Sequence, residues 1–111
     1  MFLGVPTALA ALADDTRIGI VEALATGERS VGDLVSLFDV SQPAISRHLR
    51  VLCESGVVDV VPAGKQRIYR LNPEALDDVR GWAEQLKTTW EARFDALGAH
   101  LDNLKEQRDA H

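Results

Sequence analysis

A single cysteine, Cys53, stands in this 111-residue chain. It cannot form an intramolecular disulfide, and one thiolate is too few for a structural zinc site. No apolar run approaches the roughly 20 residues that a membrane-spanning helix needs. The opening segment Met1–Ala13 is apolar, but it lacks the basic start of a secretory signal and Pro6 interrupts it. The expected location is cytoplasmic, with no membrane partner. There is no glycine-rich phosphate loop and no Gly-x-Ser-x-Gly elbow. Ser46 and His48 lie two apart on one helix and do not face each other, so no nucleophile–base pair forms. Neither an enzyme nor a cofactor is expected.

Positive charge is also scarce, and the net charge is −5. That balance disfavours a polyanionic partner until its distribution is considered. Residues 1–40 hold two bases and six acids, residues 41–71 five bases and two acids, and residues 72–111 five bases and nine acids. One basic island therefore sits between two acidic flanks. The local field, rather than net charge, decides where a polyanion docks.

The island begins with a strongly marked helix. Ser41 suits an N-cap, Pro43 is tolerated only in the first turn, and Gly56 suits the position after the last turn. Ile45, Leu49 and Leu52 form an apolar stripe at helical spacing. Pro43, Ser46, Arg47 and Arg50 fall on the opposite side. Upstream, the chain predicts a short helix over 7–13 and a second over 16–26, capped by Asp14 or Asp15, with Ile18, Val21 and Leu24 inward. Ser30, with Asp33 three residues on, starts a third helix as a capping-box pattern. Residues 30–55 thus read as a helix-turn-helix.

Downstream, Val57–Val61 is a β-branched run, Pro62–Lys65 supplies turn residues, and Gln66–Leu71 alternates as a second strand. A hairpin over about 57–71 after such a helix is a wing, whose tip would lie on a nucleic-acid backbone. From Leu76 the apolar residues Val79, Ala83, Leu86, Trp90, Phe94, Leu97, Leu101 and Leu104 recur at heptad-like spacing. A helix over about 73–106 follows, longer than a small core needs, so a second copy of the chain is its expected partner. Gly98 is a candidate kink. The fold class is mainly α with a small β-hairpin, a single winged helix-turn-helix domain over 1–111 with a long C-terminal dimerisation helix.

Gln42, Ser46 and Arg47 are the expected base readers, because Gln matches adenine, Arg guanine, and Ser either. Arg50, Lys65 and Arg67 are expected at phosphates, with Ser41, Pro43, His48 and Gln66 completing the DNA-facing set. Arg70 is a weaker phosphate candidate because it is able to serve a salt bridge instead. A winged helix built for protein assembly would instead present a neutral or apolar face at 43, 46, 47 and 50. Cys53, beside Leu49 and Leu52, reads as a buried inert thiol.

The chain resembles the ArsR-type winged-helix repressors. The residues that carry this are Leu12-Ala13-Asp14-Asp15-Thr16-Arg17, Ile20-Val21-Glu22-Ala23-Leu24, Val31-Gly32-Asp33-Leu34, Ser41 through Leu52, Gly56-Val57-Val58 and Arg67-Ile68-Tyr69-Arg70-Leu71. Position 15, often Pro in such proteins, is Asp here. The resemblance implies a homodimer built on the first and last helices, with Leu9 and Leu12 joining Leu86, Trp90, Phe94, Leu97 and Leu101 at the interface. It also implies binding to double-stranded DNA at an imperfect palindrome in a promoter, and repression. The metal positions of the family do not carry ligands here. Ser30 and Gly32 stand where paired cysteines would be, Asp77 and Asp78 lack a following His, and His100 is followed at the third position by Asn103. The resemblance is therefore to metal-independent, autoregulatory members.

Overall fold

The computed structural model describes the backbone from residue 5 to 109 and the side chains from 5 to 98. The order is α1 (Thr7–Ala11), α2 (Asp15–Ala25), β1 (Arg29–Ser30), α3 (Val31–Leu37), α4 (Gln42–Glu54), β2 (Val58–Ala63), β3 (Gln66–Leu71) and α5 (Pro73–Asp109). The chain forms two compact units, one up to Val79 and one from Arg80 onward. The first carries α1 to β3 and the opening turns of α5. The second is the remainder of α5, which stays helical through Gly98.

The helix boundaries follow from local chemistry. The carboxylate of Asp14 accepts the Arg17 amide at 3.0 Å, which starts α2 and selects Asp14 over Asp15 as its cap. Ser30 and Asp33 exchange hydrogen bonds at 3.2 and 3.0 Å, completing the capping box of α3. The bond from the Ser30 amide, with the Ser30 side chain beside it, holds the Asp33 carboxyl below the usual carboxylate range. Ser41 caps α4 through the Ala44 amide at 3.3 Å. At the other end the Val57 amide reaches the Leu52 carbonyl and the Gly56 amide reaches that of Cys53. This is a Schellman motif, and it requires the left-handed φ of +81° at Gly56. Asn72 joins the end of α4 to the start of α5, because its side-chain amide donates to the Gly56 carbonyl at 3.0 Å and its oxygen accepts from the Glu74 amide.

The sheet has three antiparallel strands in the order β1-β3-β2. The two-residue strand β1, whose Arg29 and Ser30 pair with Tyr69 and Ile68, is too short for an alternating pattern to announce it. Pro62 belongs to β2 rather than to the turn, opposite Arg67. Because β2 is an edge strand, the missing N–H of Pro62 costs the ladder little. The turn is only Gly64-Lys65. Its positive φ falls at Gly64 alone, the pattern of a type II′ hairpin.

The core gathers Ile20 and Leu24 of α2, Leu34 of α3, Ile45, Leu49 and Leu52 of α4, with Val57, Val58, Tyr69 and Ala75. Ile18, expected inward, is 41% exposed, and Ile20 takes its place. The inward face of α2 is thus Ile20, Val21 and Leu24, set by where α4 and the sheet lie.

Gly19 lies between those positions, and a Cβ there would meet the Phe38 ring at 2.7 Å. Two opposing magnitudes decide the effect of Gly19→Ala. Helix propensity favours alanine by about 1 kcal/mol, while overpacking costs about 1–3 kcal/mol. In the wild-type background the substitution should therefore fail to stabilise. In a Phe38→Leu background the same change should stabilise by up to about 1 kcal/mol. Urea unfolding of the four-member cycle measures the coupling, and additive values would mean the ring and Gly19 do not touch.

Candidate nucleic-acid interface

The helix α4 divides cleanly. Ile45, Leu49 and Leu52 are fully buried, while Gln42, Pro43, Ser46, Arg47 and Arg50 are exposed. Burial of the stripe against α2, α3 and the sheet fixes the rotation of the helix, and so aims the polar face outward. The wing stands beside that face. On β3, Arg67 and Tyr69 share one side, opposite Pro62 and Val60 of β2. This side looks toward α4, and between the two lies an open cleft of about 710 Å³. Pro43, Ser46, Arg47 and Arg50 line it from α4, and Val60, Arg67 and Tyr69 from the wing. Leu49, Cys53 and Val31 complete it.

Among the described residues, the side chains of Arg47, Arg50 and Arg67 meet no protein acceptor. Three unpaired guanidinium groups around one cleft are a strong anion-attracting feature in an acidic chain, since each offers a planar fork suited to phosphate or carboxylate oxygens. At the wing tip, Lys65, Gln66 and Arg67 form a smaller hollow of about 310 Å³ with Ser30, Val31 and Gly32 at the start of α3. The type II′ turn puts Lys65 at the tip of the hairpin, and Gln66 opens β3 opposite Ala63. Arg70 is on the other side of β3, directly across the ladder from Asp59.

Two of the expected DNA-facing residues are otherwise engaged. The Ser41 hydroxyl oxygen is taken by the cap. His48 is half-buried and turned toward the start of α2, where its Nδ1 lies 3.4 Å from Nη1 of Arg17 and 4.0 Å from Oδ1 of Asp14. Arg17 is itself anchored, its Nε donating to the Ala11 carbonyl at 2.6 Å. The Asp14 carboxyl is held below the usual carboxylate range, first by the Arg17 amide and further by the nearby His48 and Arg17 side chains. Nδ1 faces a guanidinium N–H, from which it accepts in the tautomer that carries the ring proton on Nε2. His48 therefore ties α4 to the N-terminus of α2. Nothing in local periodicity marked Arg17, because its partner lies thirty-one residues away.

Cys53, in the cleft, is half-buried. Burial pushes its thiol above the ordinary value, and the nearby Asp59 and Glu54 carboxylates add to this. At neutral pH it is a thiol rather than a nucleophilic thiolate. Leu9 and Leu12 of the α1 segment are half-buried. Leu86, Trp90, Phe94 and Leu97 of α5 are exposed. Leu101 lies outside the residues whose side chains are described. Among the described residues, no helix is long and apolar enough to cross a membrane.

Comparison with known proteins agrees with this fold. Residues 14–60 match the model of the bacterial regulatory protein, arsR family. The chain is 41% identical over 98 residues to the arsenical resistance operon repressor of Escherichia coli, covering 86% of this chain and 80% of that protein. It is 49% identical over 70 residues to an HTH-type transcriptional regulator of Mycobacterium tuberculosis, covering 63% of this chain and 65% of that one. Among solved structures, an ArsR-like transcriptional regulator from Rhodococcus superposes with a TM-score of 0.75 at 31% identity, over 82% of this chain and 86% of that one.

Proposed function

The chain belongs to the arsR family of bacterial regulatory proteins, and from that premise we propose that it is a homodimeric, sequence-specific repressor of transcription. The observation that carries the proposal is the set of unpaired guanidinium groups of Arg47, Arg50 and Arg67 around the cleft between α4 and the wing. In this reading α4 enters the major groove, where Gln42, Ser46 and Arg47 meet base edges. Arg50, Lys65, Gln66 and Arg67 hold the sugar-phosphate backbone on either side. Pro43 fixes the first turn that delivers Gln42. The dimer places its two copies of α4 about 34 Å apart, or a multiple of that, on an imperfect palindrome.

We further propose that repression is autoregulatory and independent of metal. Ser30 and Gly32 offer no thiolate at the start of α3, and the basic hollow there would repel a divalent cation. DNA retained by the purified protein from its own genome should include its own promoter, and adding zinc should not release it. Zinc-dependent release would overturn the metal-independent reading.

Arg47→Ala should cost about 1–3 kcal/mol on the preferred operator and relax selectivity at one base pair. Lys65→Ala should weaken binding to all sequences alike and reduce the salt slope by roughly 1. Anisotropy titrations on operator and scrambled duplexes at several salt concentrations separate the two. Unchanged operator affinity for Arg47→Ala would remove α4 from the major groove.

A further inference from the structure

The cleft between α4 and the wing has more than phosphate-binding groups. Its rim carries the exposed Arg47, Arg50 and Arg67, while its floor is apolar, with Leu49 and Tyr69 almost fully buried and Val60 supplying the open part. DNA would use the rim, Arg47 at a base edge and Arg50 and Arg67 at phosphates, and would gain nothing from such a floor. Val60 is 43% exposed, so part of this apolar surface stands open to water. The volume of about 710 Å³ lies inside the usual range for small-molecule sites, roughly 300–1,000 Å³.

A carboxylate on an alkyl or aryl tail matches both halves of the cleft. Its two oxygens suit the guanidinium fork. Its tail would cover Val60, which supplies most of the open apolar surface of the floor, gaining about 25 cal/mol for each Å² removed from water. Inorganic anions gain only the first of these terms, and neutral hydrocarbons only the second.

We propose that this cleft binds an amphipathic monocarboxylate, and that the ligand releases the protein from DNA by occupying arginines that DNA binding needs. The second clause rests on the DNA-binding reading above; the first does not. The regulation is direct competition, so no conformational change need be transmitted. The linkage is reciprocal: ligand and operator each lower the affinity for the other.

Dodecanoate below its micellar concentration is the probe, with acetate, dodecanol and dodecyltrimethylammonium as controls. Methyl NMR of Leu49 and Val60 and ring signals of Tyr69 report occupancy in DNA-free protein. The rate of Cys53 alkylation is a second readout, because this sole cysteine lines the same cleft. Dodecanoate should shift those signals saturably and slow the alkylation. At ten times its own Kd it should weaken operator binding about tenfold. The controls should act at least about tenfold more weakly, each lacking the head charge, the tail or the correct sign. Val60→Asn should weaken dodecanoate about tenfold, since it puts a polar group on the open apolar part of the floor.

Genomic DNA retention is measured on the same preparation. A protein that holds its DNA fragment but shows no cleft response to dodecanoate overturns the inference and leaves the DNA reading intact. Cleft binding in a protein that retains no DNA would overturn the competition clause and the DNA reading together, while the ligand site would stand. Equal effects from dodecanol, acetate or the cationic amphiphile would also overturn the inference.

Discussion

With Trp90 and Phe94 both replaced by glutamate, the protein should sediment as a monomer at micromolar concentration and lose at least about a hundredfold of its operator affinity. The size of that loss follows from linkage. Two half-site contacts joined in one dimer exceed either alone by roughly 10²–10⁴ through effective concentration, with no new contact. Trp90 and Phe94 are 65% and 62% exposed in the single chain, and Leu97 is 54% exposed. Four apolar residues left open on one helix, at heptad-like spacing with Leu86, form a patch that a second copy would cover. Glutamates at two central positions would each have to be desolvated without a partner, which costs more than the seam returns. Because both positions are exposed in the monomer, the substitutions should leave the melting of the 5–79 body unchanged. That separates the effect from misfolding. It also separates it from Arg47→Ala, which should bind more weakly as an intact dimer. A double variant that remains dimeric would place the interface elsewhere, and one that is monomeric yet binds the full operator at wild-type strength would remove the need for a dimer.

The legible parts of this molecule are those whose signals lie within a helical turn or a hairpin. Ser41, Pro43 and Gly56 delimit α4 in the sequence and delimit it in the structure, because capping and the Schellman motif depend on four or five adjacent residues. The Ser30–Asp33 box behaves in the same way. The stripe Ile45, Leu49, Leu52 is buried as its spacing requires, and the exposed face at 43, 46, 47 and 50 is its geometric complement. Long-range facts were not legible. The strand β1 exists only because β3 accepts it, and Pro62 extends β2 only because β2 is an edge. Ile18 loses its inward place to Ile20 because the angle of α2 against α4 is a tertiary quantity. The His48–Arg17–Asp14 constellation joins residues thirty or more apart. The cleft is likewise a product of register: the pairing of Val60 with Tyr69 and of Pro62 with Arg67 decides which side chains share the face toward α4.

Leu52→Ala should lower the melting temperature of the 5–79 body by roughly 8–40 °C, and it should do so without removing a single DNA contact. Leu52 is 0% exposed and packs in the cluster of Ile20, Leu24, Leu34, Ile45 and Val58. Truncating such a leucine costs about 2–5 kcal/mol, part in lost transfer free energy and part in the cavity left behind. In a domain of this size each kcal/mol moves the midpoint by about 4–8 °C. The total stability of so small a body is of order 4–11 kcal/mol, so the variant forfeits a large share of it. The backbone role of Leu52 survives, since its carbonyl still accepts the Val57 amide that closes α4. Apparent operator affinity should therefore fall only by the folded fraction. Saturating operator DNA should raise the midpoints of variant and wild type alike, because DNA binds the folded state of both. Arg47→Ala predicts the opposite signature, a wild-type midpoint in the free protein and a smaller rise with DNA. Differential scanning fluorimetry with and without operator distinguishes them. A Leu52→Ala midpoint within a few degrees of wild type would mean that α4 is not held by this core, and the aim of its polar face would then lack its physical cause.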